Sequence, residues 1–371
     1  MPVLSGKIEL FLASNAMCIF DPAAGTVAQA DALVGLRRYD EALRLVAPVL
    51  TAEPDHLGAG VTAAVCLINL DRSSEARGLL TQLAAAHPEA PDPPRLLSFI
   101  AVRTGNREVS LTCANRAVFL APWSPETHMQ LAEALTLRGR HDEAVQSARR
   151  ALELAPHSAA AHLAVADALV PEEGGRPTST AFGEAEGHIR RALELAPDNG
   201  VAHNALGRIH VARGNLFAAA HALSTAVATD WRVGVAVDNI AVVFARFVWR
   251  GHIVLLVLHL LSAAAVGWTS INRGLLGAIC GTALLVLCWV WIKFGRVVSQ
   301  SRMGFLREFA RRQPMGAAWG ALLHIGAIVM IAMAVSPDQW LAVMSIIVRV
   351  CLVAGVVLSW LQVAALSRRQ R

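Results

Sequence analysis

Histidine, cysteine and arginine are the side chains of this 371-residue sequence whose types and places could do chemistry. His128, His162 and His203 recur at intervals of 34 and 41 residues, and imidazoles on a regular spacing are candidates for metal ligation or proton transfer. The six cysteines, Cys18, Cys66, Cys113, Cys280, Cys288 and Cys351, form no C-x-x-C pair, and three fall in apolar segments. They read as buried free thiols rather than a metal or redox centre. Arg349 lies deep inside an apolar stretch, which makes it a functional-site candidate. No P-loop, strand-linked GxGxxG, HExxH, GxSxG or kinase signature occurs, and strand-like alternation is too scarce for an α/β catalytic domain. The reading is therefore of a protein that is not an enzyme, with no catalytic residue, no metal site and no cofactor.

The elements that carry these residues are repeats. RRALELAP occurs at residues 149–156 and again at 190–197, and Pro54, Pro88, Pro122 and Pro156 follow one another every 34 residues, with Pro197 41 after the last. Self-similarity at a fixed period marks a repeat architecture. With each proline counted as position 32, copies begin near Ala23, Leu57, Pro91, Pro125, Ala159 and Gly200. Position 8 then holds Ala30, Ala64, Ser98, Ala132, Ala166 and Gly207, and position 20 holds Ala42, Ala76, Ser110, Ala144, Ala185 and Ala219. Position 27 holds Val49, Leu83, Ala117, Ala151, Ala192 and Ala226. Small residues at these places let the helices of one hairpin, and the next hairpin, approach closely. The seven extra residues of the fifth copy fall in 171–180, PEEGGRPTST, a loop within one hairpin.

Over about 23–231 the chain resembles the tetratricopeptide repeat family, whose 34-residue helix-turn-helix units carry small residues at positions 8, 20 and 27 and proline at 32. The resemblance implies an all-α fold, a right-handed superhelical solenoid of about six repeats. The family's aromatic at position 4 is replaced by His128, His162 and His203. Hairpins about 10 Å apart cannot place these imidazoles on one ion at bond lengths near 2 Å. In the family the first helix of each hairpin lines a groove for protein or peptide partners, through positions 2, 5, 6, 9 and 13. Carried over, these are Arg95, Phe99 and Arg103, then Met129, Gln130 and Glu133, then Leu163 and Asp167, and last Asn204 and Arg208. A seventh first helix from Gly234 covers the end of the solenoid and runs on into the first apolar segment, with Gly251 as a hinge.

Composition divides the chain. The sequence is 55% hydrophobic and 16% charged, too apolar for an ordinary soluble protein. Residues 1–245 hold 20 Lys and Arg against 26 Asp and Glu, and residues 246–371 hold 13 against 2. The basic excess belongs to the apolar half and is no argument for nucleic acid. Four stretches, 253–269, 275–292, 317–335 and 340–361, are long enough to cross a bilayer as helices, with tryptophans towards their ends. Basic residues gather in the 293–313 loop and the C-terminal tail, which places both termini on the cytoplasmic side. In that loop Arg307, Arg311 and Arg312 flank an apolar face suited to anionic headgroups, although positive-inside topology alone explains the same charges.

The expected organisation is a poorly ordered lead-in over 1–22, a solenoid with capping helix over 23–250, and a four-helix membrane region over 251–371. Lys7 and Lys293 are the only lysines, which suits a high-GC bacterial genome and an inner-membrane location. Arg349 has no carboxylate within the apolar segments. Its candidate neighbours are His324 at similar depth, backbone carbonyls, lipid phosphate or another protein, and its role is either assembly or anion contact. The functional expectation is a membrane-anchored adaptor that binds a protein or peptide partner. A small transporter or lipid-handling protein governed by the solenoid is the alternative, and a homo-oligomer is a third reading.

Overall fold

The structure, a computed structural model, describes residues 23–170, 177–229, 234–267, 281, 314–335 and 338–369. The lead-in, most of the inserted loop, the 293–313 basic loop with Arg307, Arg311 and Arg312, and the 275–292 segment apart from Gly281 lie outside the described residues. No strand occurs among the described residues. The chain divides into two compact units, Met1–Ile209 and His210–Arg371.

Among the described residues five helix pairs follow the repeat: α1 (Ala24–Gly35) with α2 (Tyr39–Ala52), α3 (Leu57–Asn69) with α4 (Ser73–Ala86), α5 (Asp92–Arg103) with α6 (Arg107–Leu120), α7 (Pro125–Leu137) with α8 (His141–Leu154), and α9 (Ala159–Leu169) with α10 (Ser179–Leu195); α11 (Gly200–Ala212) and α12 (Leu216–Thr229) come next in the chain. Three long helices follow among the described residues, α13 (Gly234–Gly267), α14 (Pro314–Val335) and α15 (Asp338–Arg369).

Where the turn between helices is described, the same local chemistry recurs. Two residues past the first helix, position 15 is in the left-handed region, with φ of +59° at Arg37 and Asp71, +70° at Gly105 and +77° at Gly139 and Gly214. A residue there turns the chain out of the helix, and only glycine does so without Cβ strain. At the next position Arg38, Arg72 and Arg140 make two-pronged ion pairs with Glu41, Glu75 and Glu143, three residues on. These pairs are solvent-exposed and set geometry more than stability. In the third copy Asn106 instead caps α6, accepting from the Val109 N–H at 3.2 Å.

The small positions are the helix contacts. The alanines and serines at positions 8 and 20 are at most 3% exposed, and Leu83, Ala117, Ala151, Ala192 and Ala226 at position 27 are all at 0%. The paired arginines of RRALELAP face outward onto acids: Arg149 to Glu184, Arg150 to Glu153, Arg190 to Glu186 and Arg191 to Glu194. The motif is scaffold on both of its faces.

In the second unit α12 packs on α13 through Leu216, Ala219, Ala220 and Leu223 against Ile240 and Val243. The Phe217 ring meets Phe247 edge-on at 5.0 Å, and Arg246 donates to the Val211 carbonyl at 2.6 Å. Helix α13 then passes straight through Gly251, so the expected hinge is absent and one helix of 34 residues, about 51 Å long, joins the α12 contact to the apolar segment. Farther along, Val248 and Leu255 of α13 share a core with Trp319, Ala327 and Met330 of α14 and Val348 and Leu352 of α15.

Within that core, residues 239–261 of α13 and 342–361 of α15 are long and apolar enough to cross a membrane. Much of their surface faces away from the protein: Leu260 of α13 is 58% exposed and Val353 of α15 is 65% exposed. In α14 the apolar run among the described residues is shorter, Ala318–Met330.

Candidate functional site

The first helices of successive hairpins bring the ten carried-over residues onto neighbouring turns of the solenoid, but at different depths. Phe99, Leu163, Gln130 and Asn204 are at most 6% exposed. Phe99 and Leu163 belong to the hydrophobic cores, and Gln130 donates to the Ser98 hydroxyl, which itself donates to the Ser110 carbonyl. Arg95 is buried beside Asp92; burial pulls its guanidinium down to about 10, against the attraction of Asp92 and Glu126, so it remains charged at neutral pH. Met129, Glu133 and Asp167 are half-buried and keep accessible surface.

Arg103 and Arg208 do a job that the sequence did not disclose. Arg103 donates to the Ile68 carbonyl at 3.2 Å and to Asp71 at 3.0 Å. Arg208 donates to the Val170 carbonyl at 3.2 Å and to Asp167 at 3.4 Å. Ile68 and Val170 both stand at position 12 of the preceding copy, where the first helix runs out of intrahelical donors. Each arginine therefore ties one hairpin to the last turn of the one before.

The position-4 histidines have a shared role as well. His128 and His203 donate through Nε2 to the carbonyls of Pro122 and Pro197 at 2.9 Å, and His162 faces the equivalent Pro156 carbonyl. Arg116 donates to the equivalent Pro88 carbonyl at 2.8 Å. These carbonyls lie just past the C-cap of the preceding second helix, and the imidazoles face them where the family packs an aromatic ring between helices. His162 differs from the others because its Nδ1 lies 3.0 Å from Nδ1 of His188 on α10. Among the described residues no group of three or more His, Cys, Asp or Glu side chains could hold a metal ion.

Two large rings stand on the solenoid surface without any signal in the spacing. Phe119 is 75% and Trp123 73% exposed, with the guanidinium carbons of Arg116 and Arg150 each 5.4 Å from the respective ring centroid. Such contacts hold exposed rings in place.

Among the apolar helices a polar cluster appears that was not foreseen. Arg349 is exposed on α15, and its Nε lies 3.5 Å from Nε2 of His259 on α13. His324, the neighbour expected for it, instead bonds the Gly320 carbonyl of its own helix at 2.7 Å. One face of α13 carries both His252 and His259, seven residues apart and 4% and 3% exposed. Nε2 of His252 donates to the Leu352 carbonyl at 2.9 Å, and its ring packs with Trp249 and Trp319 at centroid distances of 6.2 and 6.4 Å. Gly355 makes this approach possible, since a Cβ there would collide with Cε1 of His252 and lie 3.2 Å from Nε1 of Trp319. The pair of histidines at a seven-residue interval was the available signal.

Tetratricopeptide repeat family models match residues 33–101 and 100–170. Together with the hairpin geometry this makes the chain a tetratricopeptide repeat protein over that stretch. Among solved structures it is similar to a thermophilic tetratricopeptide repeat protein of Thermus thermophilus, at 23% identity over 52% of this chain and 98% of that one, with a TM-score of 0.44. It is similar also to one from Parabacteroides merdae, at 13% identity over 64% and 89%, with a TM-score of 0.49. A third, YrrB, is described as a tetratricopeptide repeat protein with an unusual peptide-binding site, at 19% identity over 53% and 95%, with a TM-score of 0.34. No curated protein matches the chain.

Proposed function

We propose that this protein is a membrane-anchored adaptor whose tetratricopeptide solenoid binds a protein or peptide partner at the cytoplasmic face of a bacterial inner membrane. The observation that carries the reading is the apolar surface that α13 and α15 turn outward, with α13 also packed against α12. Exposed aliphatic surface of that extent is stable in lipid and a liability in water. The partner face is formed by Met129, Glu133 and Asp167 with the outer edges of Arg103 and Arg208. Met129 supplies apolar contact, and the acids and guanidiniums set register. The buried members of the expected groove, Phe99, Leu163, Gln130, Asn204 and Arg95, hold the shape of that face from beneath. Photocrosslinking in membranes from Met129 and Glu133 should capture one and the same protein, with no capture from Thr81 on α4. Equal capture from Thr81 would reject the partner face.

A second reading is favoured by the polar cluster among the apolar helices. Ionisable side chains within apolar membrane helices are expensive and are kept for function. Under this reading the membrane helices act as a small transporter or lipid-handling protein, with His252, His259 and Arg349 at the working site and the solenoid as its regulator. Arg349→Ala separates the two, because an adaptor keeps its partner while a membrane activity is lost.

A further inference from the structure

His162 of α9 and His188 of α10 are the two imidazoles that face each other across the fifth hairpin, Nδ1 to Nδ1 at 3.0 Å with ring centroids 5.3 Å apart. The tautomers follow from their partners. The nitrogen of His162 that does not meet His188 faces the Pro156 carbonyl, and since a carbonyl oxygen accepts, that side of the ring suits the proton. With Nδ1 turned to His188, that nitrogen is Nε2, as in His128 and His203. Neutral His162 therefore offers Nδ1 as an acceptor, and His188 must donate from its own Nδ1.

We propose that the His162–His188 pair is a proton-binding site that accepts one proton and rejects a second, so that acidification parts α9 from α10. The first proton goes to Nε2 of His188, which leaves the Nδ1–H···Nδ1 bond intact. The charged groups acting on the pair are Glu184 and Arg191 from α10, Arg149 from α8 and His157 from the turn before α9. Glu184 favours the first proton, although its carboxylate is shared with Arg149 at 2.7 Å. A second proton has only Nδ1 of His162 to bind. It would set two N–H groups and two like charges against each other within the interface that Leu163, Ala166, Ala185 and Ile189 close.

Burial holds both imidazoles below the ordinary histidine range. For His162 the His188 charge adds to this and the Pro156 carbonyl opposes it; for His188 Glu184 opposes and Arg149 adds. Because both folded-state values are lowered, the hairpin has its full stability above the ordinary imidazole value of 6.5 and loses it as pH falls below that value. The device does not depend on the adaptor reading. It does bear on that reading, because Asp167 lies on the helix that would move.

Hydrogen–deuterium exchange of the full chain in lipid nanodiscs, at pH near 7.5 and near 5 and corrected for intrinsic exchange, tests this directly. Peptides over α9 and α10 should exchange about tenfold faster at the lower pH, and peptides over α3 and α4 should not. In His188→Gln the amide still donates to Nδ1 of His162 but does not titrate, so the acceleration should vanish. If that variant fails to fold, as judged by circular dichroism, His162→Gln should give the same flat response, because its oxygen accepts from His188. Acceleration that is absent in the wild type, or undiminished in the folded variant, overturns the proposal.

Discussion

A Cβ on Gly60 would stand 2.6 Å from Cδ1 of Leu83. Gly60 occupies position 4 of its copy and Leu83 position 27, and the sizes are the reverse of those in copies four to six, where histidine stands at 4 and alanine at 27. The two positions share one volume. Leu83→Ala should cost about 2–5 kcal/mol through the cavity it leaves, and Gly60→Ala about 1–3 kcal/mol through overpacking. The double variant should lose less than the sum by at least about 1 kcal/mol, read from denaturant titrations of the full chain in detergent.

The left-handed residue at position 15 gives a second test. Nothing lies within 4 Å of a Cβ at Gly105 or Gly139, so replacing either by alanine should cost about 1–2 kcal/mol purely through backbone strain. Arg37→Gly should shift stability the other way by about 1 kcal/mol. The midpoints of the same titrations would show it.

The period, the hairpins and the small contact positions were legible in the sequence because repetition multiplies a weak signal across copies. Position 15 was half-legible, since Gly105, Gly139 and Gly214 announce it while Arg37 and Asp71 hide it. Depth was not legible. A groove position names a face of a helix, but whether Phe99 or Met129 keeps surface on that face depends on the neighbouring hairpin. Arg349 shows the same limit in the apolar region: counting residues from the helix ends gives height, which suggested His324. Which helix lies alongside, and with what rotation, decided for His259.

Asp31 and Thr62 should show a pH-dependent coupling. Burial raises the Asp31 carboxyl above its usual range and the Thr62 hydroxyl, donating at 2.6 Å, draws it back. Thr62→Val removes that donor, so the carboxyl should rise further and the variant should lose about 1–2 kcal/mol at neutral pH. A raised acid pKa favours the protonated folded state, so the deficit should shrink as pH falls through the folded-state value. Thermal unfolding near pH 7 and near pH 4.5 would measure the two gaps.

Cys66 should be chemically silent while the protein is folded. Its thiol is fully buried, and burial, aided by the charges of Asp31 and Asp40, pushes its pKa up to about 12. Maleimide at mildly alkaline pH should label it only after denaturation, as read by mass spectrometry of the peptide that contains it; labelling in the native state would contradict its placement.

Helix α13 fixes more than attachment. Since it runs unbroken from the contact with α12 to the contact with α14 and α15, the orientation of α12 about the helix axis is locked in phase with that of the apolar helices. Each residue inserted between Phe247 and Leu255 would turn one against the other by about 100° and advance it by about 1.5 Å, whereas seven inserted residues would nearly restore the phase. An insertion far from a whole number of turns would therefore leave only one of the two contacts, that with α12 or that with α14 and α15, in its present register.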